Sequence, residues 1–550
     1  MRDWFKSGAP WIWLNAGAAA ISLIMVFGLI ALIAVRGLSH FWPSPILETT
    51  VHHTDGTEER VLGELRNTEV VPVAVVAAMG IDFPEDQELV TRYLIQLGNR
   101  DLTGRDFAWF VGDLMDEWQF PDDALVLERT EWGNFYGYLL RVKEGDQVVG
   151  EGEAAWEELF PRVARAGDLR RQIHRIERFD IGAINTQMER IRLDERSLRA
   201  RGETDPAAFE RLRERRAELD QQYAVLEAER AELYERIARD FLVAESMDGR
   251  EVTIPIANVV RAARPNTMSF FEKLGHYFDK FGEFVGGFPR EANTEGGIFP
   301  AIFGTVMMVL LMSVVVTPLG VLAAIYLREY AKQGPFVQTI RISVNNLAGV
   351  PSIVFGVFGL GFFVYWVGGS IDDLFYPERL PAPTFGTPGL MWASLTLALL
   401  TLPVVIVATE EGLTRIPRSV REGSLALGAT KAETLWRVIV PMAAPAMMTG
   451  LILAVARAAG EVAPLMLVGV VKLAPNLPVD GNFPFLHLER KFMHLGFHIY
   501  DVGFQSPNVE AARPLVYATA LMLVFIIIVL NLTAIAIRNR LREKAKAVAE

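Results

Sequence analysis

Long apolar runs alternate with strongly polar stretches along the chain, and the lengths of these runs predict helices that cross a membrane. Residues 14–35 form an uncharged apolar run, which at about 1.5 Å per residue is long enough to cross a hydrocarbon core of about 30 Å. Five further runs follow, at about 300–326, 342–367, 389–409, 444–471 and 514–537. The pattern therefore predicts six transmembrane helices and places both termini on the same side of the membrane.

Basic residues between the runs predict which side that is. Arg2 and Lys6 precede the first run and favour a cytoplasmic N-terminus, and the lack of a small-residue cleavage site favours a retained span over a signal peptide. The outside loop 368–388 holds three acidic residues against Arg379 alone. The segments predicted to lie inside are rich in basic residues, namely Arg328, Lys332, Arg341, Arg415, Arg418, Arg421, Lys431, Arg437, Arg538, Arg540, Arg542, Lys544 and Lys546. The short loops therefore obey the positive-inside rule, and both termini are expected in the cytoplasm.

The stretch between the first two runs, residues 37–295, is predicted to be one large extracytoplasmic insert, because long loops cross the membrane largely regardless of their charge. Its patterns indicate a globular α+β unit. Strand-like segments occur at 61–80 and 251–260, a strand, hairpin and helix start at 136–156, an amphipathic helix at 103–118, and an aromatic-rich interfacial helix at 269–285.

The middle of the insert carries a leucine repeat. Leu212, Leu219, Leu226 and Leu233 share one heptad position, and a less regular apolar stripe precedes them over residues 169–198. Residues 201–206 supply a turn, a helix cap and a first-turn proline between the two stripes. We predict an antiparallel coiled-coil hairpin at about 168–240, held by a seam within the chain. Two seam positions hold Arg216 and Arg230, which either contact another subunit or cover apolar surface with their stems.

Composition narrows the classes of protein. The chain is 51% hydrophobic and 22% charged, too apolar for an ordinary soluble protein and too charged for a purely membrane-embedded one. Its net charge of −12 argues against a nucleic-acid partner, and the absence of cysteine excludes disulfides and thiolate chemistry. No metal-ligand spacing is evident among the eight histidines. His494 and His498 do stand four apart, but in an outside loop with Gly496 between them we expect them to be solvated.

One polar, basic segment, residues 410–441, separates the fourth and fifth runs and predicts a helix-turn-helix on the membrane surface. Capping boxes are expected from Ser419 to Glu422 and from Thr430 to Glu433. Gly428 allows the turn between the two helices, and Pro441 is expected to end the second helix. Apolar side chains available to contact bilayer or protein are Leu425, Leu427, Leu435, Trp436, Val438 and Ile439.

Polar residues inside the runs are candidates for a translocation path. Arg457 and Glu461 lie four apart near the middle of the fifth run, where a charge costs about 2.5–3.5 kcal/mol on insertion scales. Pro464 removes a backbone hydrogen bond beside them, so the helix is expected to open there. In the third run Asn345, Asn346 and Ser352 flank Pro351. The alternative is that Arg457 and Glu461 neutralise each other or pair with another subunit, and that the asparagines only join helices.

Within the 410–441 segment, one spacing resembles the EAA motif of ABC-importer permeases, in which E-A-A is followed by three residues, Gly, nine residues and I-x-L-P. The matching positions are Glu422, Gly423, Ser424, Gly428, Val438, Val440 and Pro441, with Gly423 and Ser424 in place of alanines, Val438 in place of Ile and Val440 in place of Leu. Segments 296–305, 345–361 and 456–465 resemble phosphate permeases of the PstA type rather than the PstC type. The resemblance covers the first run and residues 296–541.

The resemblance implies a mainly α membrane protein of ABC-importer permease type, six transmembrane helices with the α+β insert added. The implied domains are 1–36 (N-terminus and first helix), 37–295 (insert), 296–541 (permease domain with the coupling region 410–441) and 542–550 (cytoplasmic tail). Such a chain is a non-catalytic subunit of a phosphate importer in the bacterial inner membrane. A permease for sulfate or molybdate, or an envelope scaffold or sensor, is the alternative.

The implied partners are a PstC-like second permease, a PstB-like ATPase dimer, a PstS-like extracytoplasmic phosphate-binding protein and membrane lipid. The 550 residues contain no GxxxxGK[ST] phosphate-binding loop. No cofactor is therefore expected in this chain, and ATP would be bound by the partner ATPase.

Overall fold

The computed structural model describes residues 7–77, 87–203, 205–506 and 509–549. Six of the described helices are long and apolar enough to cross a membrane, as the pattern predicts, and we call them spans one to six. Their bounds are Pro10–Phe41, Phe299–Tyr330, Ser352–Phe375, Leu390–Thr414, Lys431–Gly460 and Ala512–Arg540. Arg2 and Lys6, which favour a cytoplasmic N-terminus, lie outside the described residues, so that placement stays a prediction.

The third apolar run is divided at a proline, contrary to the continuous span expected over 342–367. An amphipathic helix, Pro335–Leu347, ends before Gly349, and a new helix begins at Ser352 directly after Pro351. Proline has no N–H group and disfavours helical geometry in the residue before it. Span three therefore begins ten residues later than predicted.

The fifth run also differs from the expected 444–471. The helix that begins at Lys431 continues through a π-helical segment, Leu435–Ile439, into the α-helix Val440–Gly460, so Pro441 does not end it. The ring of a proline in a helix meets the carbonyl four residues earlier, and here that carbonyl, of Arg437, lies in the wider π turn. The helix ends instead at Gly460, and a separate four-residue helix, Leu465–Val468, follows.

Spans two, four and five form the core of the membrane domain. Their contact surface is lined by buried apolar side chains, including Met308, Met312, Leu397, Val405, Ala454 and Ala458. Gly412 of span four lies against Ala446 of span five, and Gly450 of span five lies against Ala408. Small residues let helices approach closely in lipid, and these two contacts set an antiparallel register between spans four and five. Span one is exposed along most of its length and touches span six where Gly37 meets Ala518.

The described insert contains two larger antiparallel sheets. The four-stranded sheet is ordered β1 (Ile46–His52), β2 (Glu58–Pro72), β3 (Leu89–Gln96) and β4 (Phe107–Val111). The second is ordered β10 (Val259–Ala263), β5 (Ala124–Arg129), β6 (Phe135–Glu144), β8 (Asp240–Glu245) and β9 (Glu251–Pro255), with β7 (Gln147–Glu151) also paired to β6. The helix predicted at 103–118 is wrong: its aromatic and β-branched residues form β4, which completes the first sheet beside β3. Residues 78–86, which include the end of the strand-like segment 61–80, lie outside the described part.

A helical hairpin connects β7 to β8. Its first arm runs through Glu153–Arg175, a π segment Ile176–Ile181 and Gly182–Ala200, and its second arm is Pro206–Ile237. The first arm begins 15 residues before the predicted start at about 168. Asp205 caps the second arm by accepting from the N–H of Ala207, as the turn sequence predicts. Leu219 and Leu233 are buried and Arg216 is exposed, so the stripe faces the first arm while its arginine points away. A supercoiled geometry stays a prediction.

The insert meets the membrane domain through an aromatic helix, Phe270–Gly286, begun by a capping box of Ser269 and Glu272. Phe284 of this helix packs in one buried cluster with Phe41 at the end of span one and Leu515 of span six. A two-stranded ribbon, β11 (Pro289–Arg290) with β12 (Glu295–Gly296), then leads into span two. The insert is therefore packed onto three spans at one end of the membrane domain.

The predicted topology can be tested with single cysteines, because the natural chain contains none. Glu203→Cys, in the hairpin turn, should react with an impermeant thiol reagent in intact spheroplasts if the insert is extracytoplasmic. Glu543→Cys, beyond span six, is the matched control and should react only after the membrane is opened. Labelling of both variants in the opposite order would overturn the six-span topology.

Candidate functional site

The segment between spans four and five forms a tight turn between two helices, which we call the coupling turn (residues 418–434). Its first helix is Arg418–Ala426, and Gly428 follows with φ +88°. The N–H groups of Gly428 and Ala429 donate to the carbonyls of Leu425 and Ser424. This is a Schellman motif, which needs a left-handed residue at the position of Gly428 and which glycine adopts without strain.

One of the two predicted capping boxes is present. Thr430 accepts from the N–H of Glu433 at 3.2 Å, and the Glu433 carboxylate accepts from the N–H of Thr430 at 2.9 Å. The box from Ser419 to Glu422 is wrong, because the helix begins at Arg418 after Pro417 and Ser419 already lies in its first turn. Pro417 itself occupies the N-cap position, two residues before Ser419, so the serine cannot cap this helix.

The coupling turn joins its helices by side chains and exposes an apolar tip. Ser424 and Thr434 are linked by their hydroxyls at 2.9 Å. The side chain of Leu427, next to Gly428, is 91% exposed, and Leu425 is exposed beside it. The other residues of the predicted motif differ in exposure. Glu422 and Gly423 are exposed and Val438 is half-buried, while Pro441 lies within span five. Leu435 and Ile439 face inward against Leu413 and Ala443.

Glu329, at the end of span two, anchors the coupling turn, and the sequence pattern did not indicate it. Its carboxylate pairs with the guanidinium of Arg421 at 2.9 Å, and its carbonyl accepts from Lys431 Nζ at 2.7 Å. Arg421 also donates to the carbonyl of Leu413 in span four. The first helix of the turn is therefore tied to the ends of spans two and four, and the second helix to the end of span two.

The predicted pair Arg457–Glu461 lies where span five stops being helical. Arg457 Nε and Glu461 Oε1 are 3.5 Å apart, with Arg457 on the last turn and Glu461 in extended backbone beyond Gly460. Extending the register set by the Gly412–Ala446 and Gly450–Ala408 contacts brings Arg457 level with about Thr401. Thr401 lies near the centre of the 25-residue helix Leu390–Thr414. The pair therefore lies close to the middle of the membrane domain.

The opening of span five at this depth is enclosed by small residues. A Cβ at Gly356 of span three would lie 2.7 Å from Cα of Pro464, and one at Gly359 would lie 3.0 Å from Val468. A Cβ at Gly496 would meet Val462 in the same way, at 2.6 Å. Non-helical backbone at membrane depth is tolerated where it is buried in protein or lines a cavity. Glu461 is therefore held beside Arg457 by packed backbone rather than by a helix.

The other predicted path residues do not join this pair. Asn345 and Asn346 are exposed on the helix Pro335–Leu347, and Ser352 begins span three. Asn345 lines a cavity of about 660 Å³ beside the Arg341–Glu410 ion pair, near the Thr414 end of span four. At about 1.5 Å per residue, Ile406 and Glu410 in that cavity lie roughly 8–13 Å from the level of Thr401. The predicted path residues therefore lie at two different depths in the membrane domain, with Arg457 and Glu461 near its middle and Asn345 nearer the Thr414 end of span four.

The expectation that His494 and His498 are solvated is wrong. Both are buried in the packed loop after span five, and burial lowers the pKa of His494 to about 3 and that of His498 to about 4. His494 Nδ1 accepts from the N–H of Gly496, which fixes its tautomer. The local signal for burial was Gly496, which lets the loop pack against Val462. Both imidazoles are neutral at neutral pH.

The second part of the chain is similar to known transport permeases. Residues 316–546 match the family model "Binding-protein-dependent transport system inner membrane component". The "Phosphate transport system permease protein PstA" of Mycobacterium leprae (strain TN) is 36% identical over 195 residues, which cover 35% of this chain and 58% of that protein. The "Probable phosphate transport system permease protein PstA" of Methanocaldococcus jannaschii is 31% identical over 238 residues, covering 42% of this chain and 73% of that protein.

A solved structure titled "Inward facing conformations of the MetNI methionine ABC transporter" is 19% identical, covers 44% of this chain and 94% of its own, and has a TM-score of 0.32. The chain spans about 58% of the length of the mycobacterial relative. The family match begins at residue 316, within span two. The insert therefore lies outside the part of the chain that the family model describes.

Proposed function

Since this chain belongs to the family of binding-protein-dependent transport system inner membrane components, with PstA-type permeases among its relatives, we propose that it is the membrane-spanning subunit of an ATP-driven importer of inorganic phosphate. The two PstA relatives described above are named as phosphate transport permeases. Six apolar helices agree with a multi-pass inner-membrane protein. The chain would act without catalysis of its own, because ATP hydrolysis belongs to a partner.

One observation carries the proposal: a single helical run connects the coupling turn to the charged pair in the middle of the membrane domain. Span five begins at Lys431, inside the coupling turn, and continues to Gly460, one turn beyond Arg457. A helix transmits displacement along its axis, since each residue is tied to the next turn by backbone hydrogen bonds. Movement of the coupling turn would therefore shift Arg457 and the non-helical segment after Gly460.

The exposed tip of the coupling turn is suited to contact with an ATPase. Leu427 projects from a turn that two hydrogen-bonded caps and the Glu329 anchor hold in place. Leu425 and Trp436 are exposed in the same region as Leu427, and a group of exposed apolar side chains on a polar segment is typical of a protein interaction site. Docking of the ATPase dimer at Leu427 would pass its closure to spans two, four and five together.

Arg457 is suited to meet the anion in the pathway. Its planar guanidinium can give two parallel hydrogen bonds to an oxyanion and stays charged where water is scarce. Glu461, at 3.5 Å, competes for the same guanidinium and so limits how tightly an anion is held. The remaining partners would be a PstC-like second permease, a PstB-like ATPase dimer and a PstS-like binding protein outside the membrane, with both termini in the cytoplasm.

The function is tested by uptake into proteoliposomes that contain the whole complex. ATP-dependent uptake of phosphate is expected, with sulfate and molybdate taken up at background rates. Uptake of sulfate or molybdate in place of phosphate would identify a permease for another oxyanion. Assembly without ATP-dependent uptake of any of these anions would favour a scaffold or sensor.

Coupling is tested at Gly428, where φ is +88°. Gly428→Val places a β-branched residue in the left-handed region, at a cost of at least about 1–2 kcal/mol, and should reshape the tip beside Leu427. We expect ATP hydrolysis to persist while phosphate uptake falls at least about tenfold. Gly423→Ala, in the exposed face of the adjoining helix, is the control and should keep full uptake. Normal coupling in Gly428→Val would remove this role from the turn.

Recognition is tested at Arg457. Arg457→Lys keeps the charge but loses the planar fork, so uptake should fall at least about tenfold while the complex assembles normally. Arg213→Lys, at an exposed position of the insert, is the matched control. Glu461→Gln should change uptake by less if the carboxylate only tunes the arginine. Wild-type phosphate uptake by assembled Arg457→Lys complex would contradict direct contact with the anion.

A further inference from the structure

The hairpin of the insert reaches over the membrane domain and touches two of its loops. We call the last helical part of its first arm, Gly182–Ala200, the strap. Arg196 of the strap donates to the carbonyl of Glu378 at 3.3 Å. Arg190 donates to the carbonyl of Phe483, and its guanidinium lies 5.7 Å from the centre of that ring. The strap therefore contacts both the loop before span four and the loop before span six.

An apolar side chain of the strap is buried between these two contacts. On a helix of 3.6 residues per turn, Arg190 and Arg196 point about 120° apart, and Leu193 lies midway between them. Gln187, which accepts from Arg215 of the second arm at 3.1 Å, lies about 120° around the helix from Leu193. Leu193 is nevertheless only 8% exposed. The membrane-domain side therefore covers Leu193, and the strap is seated between the two loops.

Each loop continues one wall of the opening in span five. The turn Pro377–Arg379 follows span three, and Gly356 of that span packs against Pro464 in the opening. The second wall is the segment 461–470, whose end accepts a hydrogen bond from Gly389, the residue before span four. Both loops therefore lie at the end of the membrane domain opposite the coupling turn.

The loop that carries Phe483 is tied to the second wall. The N–H of Phe492 donates to the carbonyl of Gly469 in that wall at 3.2 Å. Two residues before Phe492, Arg490 pairs with Asp480 at 2.7 Å and so closes the base of the loop. A displacement of the second wall would therefore reach Phe483 through this hydrogen bond and this ion pair.

The two walls are packed closely together, and the strap joins their outer ends. A Cβ added at Gly356 would lie 2.7 Å from the Cα of Pro464, closer than the roughly 3.5–4.0 Å at which carbon atoms pack. An anion can therefore pass between these walls to Arg457 only if they separate. Separation of the walls would move Glu378 away from Phe483, and a strap that holds both would resist it.

The seat of the strap is exposed to solvent, whereas the root of the hairpin is not. Arg190 and Arg196 are both exposed, and each donates to a backbone carbonyl. A hydrogen bond that water can replace contributes little net free energy. At the root, Ile173, Leu233 and Ile237 are buried in the large apolar cluster of the insert. The strap can therefore leave its seat while the root of the hairpin stays folded.

We propose that the strap holds the two walls of the span-five opening together at the end opposite the coupling turn, and that it leaves its seat when the opening is reached from that side. The strap lies outside the part of the chain that the family model matches, so it is an addition to the permease domain. The passage of an anion through the opening rests on the proposed function, whereas the contact of the strap with both walls does not.

Release of the strap is tested by the reactivity of a single cysteine in the purified whole complex in nanodiscs, where both faces of the membrane are open to a charged thiol reagent. Leu193→Cys should react slowly in the nucleotide-free complex and at least about threefold faster while ATP is hydrolysed, because release uncovers the position. Val225→Cys, at a position that is 68% exposed on the second arm, is the matched control and should react equally fast in both conditions. Equal rates for Leu193→Cys in the two conditions would overturn the proposal.

Locking of the strap is tested by linking it to a loop. Arg190→Cys with Phe483→Cys, joined by a short bifunctional methanethiosulfonate reagent, should lower ATP-dependent phosphate uptake at least about tenfold, because the walls can no longer separate, and reduction should restore uptake. Gln187→Cys with Arg215→Cys, joined across the two arms of the hairpin, is the control and should keep full uptake. Full uptake by the complex linked between strap and loop would contradict the proposal. Absence of phosphate uptake in wild type and in both reduced variants, with Leu193→Cys still reacting faster during ATP hydrolysis, would count against phosphate import and leave the strap supported.

Discussion

In a hydrocarbon core every backbone N–H and C=O group needs a partner within the protein, and this constraint decides where the membrane domain can be helical and where it can open. Span five satisfies this constraint because it is one helical run from Lys431 to Gly460, in which a π segment accommodates Pro441. Beyond Gly460, local turns supply hydrogen bonds from the N–H of Glu461 to the Ala458 carbonyl and from the N–H of Leu465 to the Val462 carbonyl, and glycines of neighbouring segments pack against the chain. The Arg457–Glu461 pair and the opening beside it are therefore one structural feature.

Charge is distributed differently at the two ends of the membrane domain. At the coupling turn, Arg421 and Lys431 converge on Glu329, so that a few ion pairs and hydrogen bonds tie three spans to one surface. At the insert, a longer network of alternating charges joins sheet, aromatic helix and ribbon, and runs from Lys280 through Glu128, Arg261 and Glu283 to Arg290. Such networks are strong where every group is satisfied and costly where one is not.

The sequence by itself determined the features that depend on neighbouring residues. An apolar run of about 20 residues predicts a span because a helix of that length can cross the hydrocarbon core, and six such helices are present among the described residues. Gly428 and the Thr430–Glu433 box could be predicted because a turn and a cap involve residues only a few positions apart. The same holds for the cap at Asp205.

Only the tertiary structure decided the features that depend on distant partners. The segment around Phe107 has the pattern of an amphipathic helix, but it forms a strand because β3 offers it hydrogen bonds. Glu329 anchors the coupling turn from about 90 residues away, and the helix containing Asn345 lies apart from Arg457 because Pro351 divides the third run. The pairing of Arg290 with Glu283 rather than with Glu295 has no signature in the sequence, because only folding brings these charges together and removes them from water.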